Sequence, residues 1–169
     1  MRVAILGNAG SGKSTLAGWL AELGKAERLD LDSVAWEPGQ VAAQRDPATA
    51  QAEVEQFCSS HVRWVVEGCY GSLVRVTLAF RPRLVWLDPD VECCLANCRS
   101  RPWEPHKYSS PAEQNERLPF LLEWVAAYDR RPGELGREDH QACFLTYEGP
   151  RTHLRRLPRR DALTPELLG

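Results

Sequence analysis

The sequence predicts an α/β fold built on a parallel sheet, and three observations carry that prediction. Short apolar runs rich in β-branched residues (Val3-Ala4-Ile5-Leu6, Trp64-Val65-Val66, Leu84-Val85-Trp86-Leu87) have the length of buried strands. Stretches with apolar residues at helical spacing separate them. A glycine-rich loop joins the first run to the first helix. Parallel strands need crossover helices, so this alternation reads as a sheet covered on both faces, with ligands at the carboxyl ends of its strands.

In order, residues 2–6 read as the first strand, ending at Gly7. A helix over 13–23 carries Leu16, Trp19, Leu20 and Leu23 on one face, and Gly24 ends it. A second strand is expected at 26–31. A helix over 46–60 has Asp46 as N-cap and Pro47 at its first position. Strands follow at 62–67 and 84–88, each ending in an acid, Glu67 and Asp88. Asp90 is placed as the cap of a helix to about Arg99. A proline- and charge-rich loop covers 101–111, and a helix is expected over 116–130 with Pro119 in its first turn. The last strand is expected at 142–147, a short helix at 150–157 and a frayed tail from about 158. The whole chain, 1–169, reads as one domain.

Composition narrows the function. A chain of 169 residues with 43% hydrophobic and 26% charged residues is an ordinary globular protein. Its formal net charge of −2 argues against a nucleic-acid binder, which should be strongly basic. No apolar run approaches the ~20 residues of a membrane span, and the N-terminus lacks the pattern of a secretory signal, so the expected location is cytoplasmic. The six cysteines (Cys58, Cys69, Cys93, Cys94, Cys98, Cys143) are then expected as free thiols in apolar sites. Their spacing lacks the CxxC pairs of a zinc site.

Gly7-Asn8-Ala9-Gly10-Ser11-Gly12-Lys13-Ser14 fits G-x-x-x-x-G-K-[ST], between a strand and a helix. Glycines let backbone N–H groups curl around a phosphate, and the helix start at Lys13 points its positive dipole end at the anion. Residues 7–15, through Thr15, are therefore expected to hold ATP. Lys13 reaches the β- and γ-phosphates, and the Ser14 hydroxyl ligates Mg²⁺.

Asp30 and Asp32 are read as ending the second strand on one side. A carboxylate there can take a substrate hydroxyl's proton or hold Mg²⁺ through water, and Asp32, nearer the strand end, is the stronger candidate. Glu67 and Asp88 are equally good patterns for the second Mg²⁺ contact, and the sequence leaves the choice open. Gly7, Asp32, Glu67, Asp88 and the turn at 146–148 are expected to converge on one cleft.

Four segments carry a resemblance: Val3 to Leu16; Leu31-Asp32-Ser33-Val34-Ala35-Trp36-Glu37-Pro38-Gly39; Trp64-Val65-Val66-Glu67-Gly68-Cys69-Tyr70; and Trp124, Tyr128, Arg130, Arg131 and Pro132. The chain resembles the small bacterial P-loop nucleotide-kinase-like proteins, the adenylate-kinase-related group labelled DNA topology modulation or FlaR-like. The resemblance covers roughly residues 1–157. It implies a three-layer P-loop NTPase sandwich of nucleoside monophosphate kinase type, with a five-stranded parallel sheet in the order 2-3-1-4-5. It also implies a short mobile lid, about 99–115, and an acceptor pocket lined by Asp32, Trp36, Glu67 and Tyr70. The chain departs from the group's usual pattern at Glu67 (usually Asp), Cys69 (usually Asn) and Gln40 (commonly Trp), so the acceptor stays open.

With a lid expected, Arg99 and Arg101 stand where a cation could close over the γ-phosphate, and Arg130 and Arg131 could close from the other side. Adenine is expected near 146–151. Trp19, Trp86 and Trp124 are read as core, and Trp36 and Trp103 as loop aromatics able to stack on a ligand. His106 is read as an exposed loop histidine, and the run Arg151, Arg155, Arg156, Arg159, Arg160 as a solvated face. A monophosphate acceptor should demand pocket arginines, for which Arg45 and Arg75 are available.

Together these readings describe an ATP- and Mg²⁺-dependent phosphotransferase acting on a small acceptor, a nucleotide or a small hydroxylated metabolite, with catalysis by Lys13, Asp32, Arg99 and Arg101. The alternative is a switch ATPase answering to a protein or nucleic-acid partner. Its expected assembly is a monomer or a dimer.

Overall fold

In the computed structural model, residues 1–37, 43–105 and 108–163 are described. Five parallel strands form one sheet: β1 (Arg2–Leu6), β2 (Glu27–Asp30), β3 (Trp64–Gly68), β4 (Arg83–Leu87) and β5 (Arg151–Leu154). Their order is β2-β3-β1-β4-β5, as the resemblance implied. β1 sits at the centre, with Leu6 opposite both Gly68 and Trp86. The three inner strands are buried along nearly their whole length, and the two edge strands are short and polar. A charged edge is how an open sheet avoids pairing with another chain.

Strand alternation sends the side chains to two cores. Val3, Ile5, Val65, Val85 and Leu87 pack against Leu16, Ala17 and Leu20 of α1 (Lys13–Gly24). Ala4, Leu6, Trp64, Val66 and Leu84 pack on the other face. Helices supplying that second layer include α2 (Asp32–Ala35), α3 (Pro47–Ser60), α4 (Gly71–Leu78) and α7 (Arg137–Thr146). The α5 (Val91–Arg99) and α6 (Pro111–Ala126) helices pack on each other through Cys94, Leu95, Cys98 and Val125, and Ala9 joins that cluster.

Several expectations are corrected. The second strand stops at Asp30, and Asp32 opens the one-turn α2 instead of ending a strand. Asp30 Oδ1 accepts the Asp32 N–H at 3.0 Å, a local bond that competes with continued pairing. The helix placed at 116–130 runs from Pro111 to Ala126. Ser110 Oγ accepts the Glu113 N–H and Glu113 Oε2 accepts the Ser109 N–H, a capping arrangement one turn earlier than expected. Pro119 therefore lies in the helix interior.

The segment 142–147 is the end of α7, not a strand, and 151–154 is β5, not a helix. Cys143 and Phe144 follow His140 at helical spacing, and His140 and Cys143 are the buried face. Arg151-Thr152-His153-Leu154 is too polar to announce a strand because it is the sheet edge. Helices α2 and α4 were not assigned from sequence.

The tail is not frayed through 163: a 3₁₀ turn at Arg160–Ala162 follows β5, and Leu163 packs on the α1-side core. Trp86 is core; Trp19 and Trp124 are only half-buried. Pro38, Gly39, Gln40, His106 and Lys107 lie outside the described residues. No helix among the described residues is long and apolar enough to cross a membrane.

Candidate active site

The phosphate loop is fixed from below by α5 and α6. Asn97 Nδ2 donates to the Gly10 carbonyl at 2.8 Å, and Asn8 Nδ2 donates to the Val125 carbonyl at 3.1 Å. Gly10 has φ +75°, and a Cβ there would overlap the Cys94 carbonyl and stand 2.7 Å from the Cys98 sulfur. Only glycine fits. Gly12, with φ +96°, is the N-cap of α1, and the first intrahelical bond is Leu16 N–H to the Gly12 carbonyl. The N–H groups of Lys13, Ser14 and Thr15 have no carbonyl one turn behind them, so they remain for an anion. Lys13 is buried, and its Nζ donates to the Asn8 carbonyl at 2.8 Å, inside the curl of the loop. Ser14 and Thr15 are exposed at the first turn. Ser11 Oγ is buried without a partner among the described residues, a polar group that a bound phosphate or water would satisfy.

On the other side of the cleft, three sequence-predicted residues join in one chain. The Trp36 Nε1–H donates to the Tyr70 hydroxyl at 2.7 Å, and that hydroxyl donates to Asp32 Oδ1 at 2.8 Å. Asp32 opens α2 and Trp36 caps its end, and Tyr70 is the residue before α4. Burial, with the Asp32 carboxylate beside it, pushes the Tyr70 phenol far above its ordinary range. Cys69, next to Tyr70, sits where the charges of the site meet. Burial raises its thiol to about 12, Lys13 and Arg131 pull it down, and Asp32 and Glu67 push it up.

Both acid-ended strands flank β1. Their acids face opposite sides. Glu67 is paired in register with Ile5, an α1-side residue, and its Oε1 accepts Arg28 at 2.8 Å. Asp88 faces α7 and β5: its Oδ2 accepts Arg137 at 2.7 Å and His153 Nε2 at 3.1 Å. His153 in turn stacks on Trp86 with ring centroids 4.4 Å apart. Asp88 is thus bound into the second layer, and Glu67 shares the sheet face of the helix that carries Ser14.

The candidate arginines separate as well. Arg99 is exposed at the end of α5, and Arg101 pairs with Glu104 at 2.9 Å. Arg131 lies 3.5 Å over the Trp124 ring and donates Nη1 to the Leu135 carbonyl at 2.7 Å. Its Nη2 is buried without a partner among the described residues, and burial lowers its pKa. Arg131 was only a secondary candidate, because nothing in an arginine-rich sequence separates it from Arg130, which is exposed.

Two further residues carried no sequence signal. Glu134 accepts the Gly71 N–H through its carbonyl (3.2 Å) and the Ser72 N–H through Oε2 (2.8 Å). His140 is fully buried, with Nε2 on the Cys69 carbonyl and Nδ1 on the Tyr128 hydroxyl, each at 2.8 Å. A carbonyl only accepts, so Nε2 carries the proton and Nδ1 accepts from Tyr128.

Residues 146–148 do not join the cleft. They precede β5 at the amino end of the sheet, where Arg151 is opposite Leu84, and the Tyr147 hydroxyl donates to the Pro82 carbonyl. An open cavity of about 430 Å³ lies there, between Arg75, Arg81 and 146–149. The expected adenine position at 146–151 fails for the same reason. The loop after the last strand is instead the one holding Leu157, whose side chain would lie 3.2 Å from a Cβ on Gly12. The five arginines from Arg151 to Arg160 are exposed.

Five cysteines are buried and Cys93 is exposed, all as free thiols. Among the described residues no cluster of three or more His, Cys, Asp or Glu could hold a metal ion.

No family model matches the chain, and no curated protein matches it. Solved structures do. A gluconokinase from Sinorhizobium meliloti 1021 is 16% identical with a TM-score of 0.55, covering 99% of this chain and 89% of that one. A shikimate kinase from Bacteroides thetaiotaomicron is 15% identical with a TM-score of 0.55, covering 99% and 94%. A sugar kinase from Janibacter sp. HTCC2649 is 15% identical with a TM-score of 0.52, covering 98% and 88%. At these identities the likeness is one of fold: the chain has the α/β architecture of small P-loop kinases, with the same all-parallel sheet.

Proposed function

We propose that the protein is an ATP- and Mg²⁺-dependent phosphotransferase that moves the γ-phosphoryl group to a hydroxyl of a small acceptor. The observation that carries this is a phosphate loop with Lys13 buried in its curl on the Asn8 carbonyl, together with Asp32, just after β2, held by the Tyr70 hydroxyl at 2.8 Å. A phosphate loop and an oriented carboxylate on the same cleft are the parts a kinase needs. The likeness in fold to three small-molecule kinases supports it, and so do the motif residues shared with the FlaR-like group.

The acceptor oxygen attacks the γ-phosphorus in line while the bond to the β–γ bridging oxygen breaks. ADP leaves with that bond's electron pair. The acceptor proton passes to Asp32, whose carboxylate Tyr70 and Trp36 orient. Lys13 and the spare nitrogen of Arg131 neutralise charge on the transferring group. Backbone N–H groups of Gly12 to Thr15 hold the β-phosphate.

Ser14 and, through water, Glu67 are the groups that would hold Mg²⁺. They fit it: Ser14 is exposed on the first turn of α1 and Glu67 lies on the same α1 face of the sheet, whereas Asp88 faces α7 and β5. The ion supplies charge neutralisation between the phosphates. Arg99, the last residue of α5, and Arg101, just beyond it, stand at the start of the expected lid, and Arg101 would have to leave Glu104 to reach a phosphate.

The test is ADP release from Mg-ATP against nucleoside monophosphates, nucleosides and small hydroxylated metabolites. An acceptor that raises turnover to about 10 per second, the ordinary range of enzymes, establishes transfer. Slow ATP loss unmoved by any of them removes this reading in favour of a switch ATPase.

A further inference from the structure

We infer that Glu134 and His140 are positioning residues for the acceptor side of the site: together they grip the turn at 69–72, which carries Tyr70, and through Tyr70 they aim Asp32. This deepens the phosphotransferase reading and, for its effect on turnover, rests on it.

The turn joins β3 to α4, and it is held from outside by the loop between α6 and α7 and by the first turn of α7. His140 Nε2 donates to the Cys69 carbonyl at 2.8 Å. On the other side of Tyr70, the Gly71 N–H donates to the Glu134 carbonyl at 3.2 Å, and the Ser72 N–H donates to Glu134 Oε2 at 2.8 Å. Tyr70 thus has a tethered backbone group before it and two after it. The approach is close. A Cβ on Gly71 would stand 2.2 Å from Asp139 Oδ2 and 2.9 Å from the Glu134 carbonyl oxygen, so glycine is what lets the holding segment come this near.

The holders are themselves fixed. His140 is fully buried, and its Nδ1 accepts from the Tyr128 hydroxyl at 2.8 Å, which accepts in turn from Trp86 Nε1 at 3.3 Å. The loop carrying Glu134 is closed by Arg131 Nη1 on the Leu135 carbonyl at 2.7 Å and by the Gly136 N–H on the Gly133 carbonyl at 3.0 Å. Arg75 of α4 binds Asp139 of α7 at two points, 2.8 and 2.9 Å, so the two helices are tied beyond the turn as well. Tyr70 is then pinned at its backbone by this segment and at its hydroxyl by Trp36 and Asp32. Its oxygen has one place, and Asp32 is bonded to that oxygen. In-line transfer is sensitive to such placement, since a shift of about 1 Å can cost ~10²-fold in rate.

Indole 1H–15N spectra of the full chain test the grip without any acceptor. The Trp36 N–H, which donates to the Tyr70 hydroxyl, is the reporter, and its loss in Trp36→Phe identifies it. In Glu134→Ala and His140→Phe its resonance should shift and its hydrogen exchange quicken by ~10-fold or more, while the Trp19 signal on α1 stays in place. Glu134→Gln keeps an oxygen for the Ser72 N–H, and His140→Gln keeps a donor for the Cys69 carbonyl, so both should return toward the natural spectrum. An unmoved Trp36 signal in folded Glu134→Ala overturns the inference. So does a Glu134→Gln spectrum altered as much as that of Glu134→Ala. Should His140→Phe fail to fold, Glu134→Ala decides, because that side chain is half-buried in a loop.

Turnover is the second readout. With whichever acceptor raises ADP release from Mg-ATP, Glu134→Ala should lower kcat by ~10-fold or more and leave the Kd of Mg-ADP within ~2-fold, and Glu134→Gln should recover most of the rate. A residue that only supported the fold would lower the melting temperature without separating kcat from nucleotide affinity. Full kcat in a variant whose Trp36 signal has moved overturns the aiming of Asp32 and leaves phosphotransfer standing. Failure of every acceptor to raise ADP release ends the phosphotransferase reading and the catalytic half of this inference with it, and the spectra still decide whether the turn is gripped.

Discussion

Tyr70 donates its hydroxyl proton to Asp32 at 2.8 Å, and that one bond joins the start of α2 to the residue ahead of α4, elements far apart in sequence. The same oxygen accepts from Trp36, so the phenol cannot turn away without breaking two bonds. Asp32 is thereby aimed by residues that need not touch the transferred group. Asp32→Asn should lower transfer by at least ~10²-fold, since a general base contributes about that much, while Mg-ATP affinity measured by calorimetry stays within ~2-fold. Tyr70→Phe strands the Trp36 N–H, should cost about 1–3 kcal/mol of stability in urea unfolding, and should lower kcat more than it alters ATP affinity. Loss of folding in Asp32→Asn would make the aspartate a structural anchor instead.

Lys13 is the residue whose role the sequence makes most explicit, and the structure adds that its ammonium is buried and held on the Asn8 carbonyl, within the loop. Lys13→Ala should reduce ATP turnover by at least ~10²-fold, a transition-state loss of about 3 kcal/mol. Single-turnover ADP formation is the measurement, and an unchanged rate would remove Lys13 from the mechanism.

How much was legible follows from what each feature depends on. The phosphate loop could be read because its glycines, lysine and serine act through local backbone geometry. The three inner strands could be read because both their faces are buried, leaving uninterrupted apolar runs. β5 could not: an edge strand is polar, and its Arg-Thr-His-Leu lacks any apolar run. The end of α7 misled because Cys143, Phe144 and Tyr147 suit a strand as well as a helix, and only packing of His140 and Cys143 on one face decides. Of the site, Asp32 was legible from its place at the end of the expected second strand, Trp36 and Tyr70 came from the resemblance, and the hydrogen bonds among the three belong to the tertiary structure. Arg131 and Glu134 act through burial and partners that sequence spacing does not encode.

Arg131 presents an activity–stability conflict. Its Nη2 is buried without a partner among the described residues, and burial has lowered its pKa, so the guanidinium is held in an environment that disfavours it. Its stacking over Trp124 depends on the planar group. Arg131→Met keeps apolar contact with the indole and removes the buried charge, together with the Nη1 bond to the Leu135 carbonyl. The melting temperature of the ligand-free protein should stay level or rise, while kcat falls by ~10²-fold or more. Arg131→Lys should not restore it, because an ammonium cannot both stack and reach the phosphate. A variant with lower melting temperature and intact kcat would make Arg131 purely structural.

His140 predicts an acid-sensitive fold. Burial lowers its pKa from 6.5 to about 4, despite its bond to the Cys69 carbonyl, and Lys13 adds to the lowering. In the unfolded chain the imidazole takes up its proton near the ordinary value of ~6.5, and in the folded chain only near 4. Between those values the unfolded state binds more protons, so stability falls as pH falls through this window. Above ~6.5 both states are neutral and the group contributes no slope. The loss amounts to about 2 kcal/mol by pH 5. Its chain (Trp86 N–H to Tyr128, Tyr128 to Nδ1, and Nε2–H to Cys69) needs the neutral ring, because Nδ1 must accept. Urea unfolding at pH 7 and pH 5 should show the natural chain losing about 2 kcal/mol more than His140→Asn, whose side chain has no proton to gain. Equal losses in the two proteins would place the acid sensitivity elsewhere.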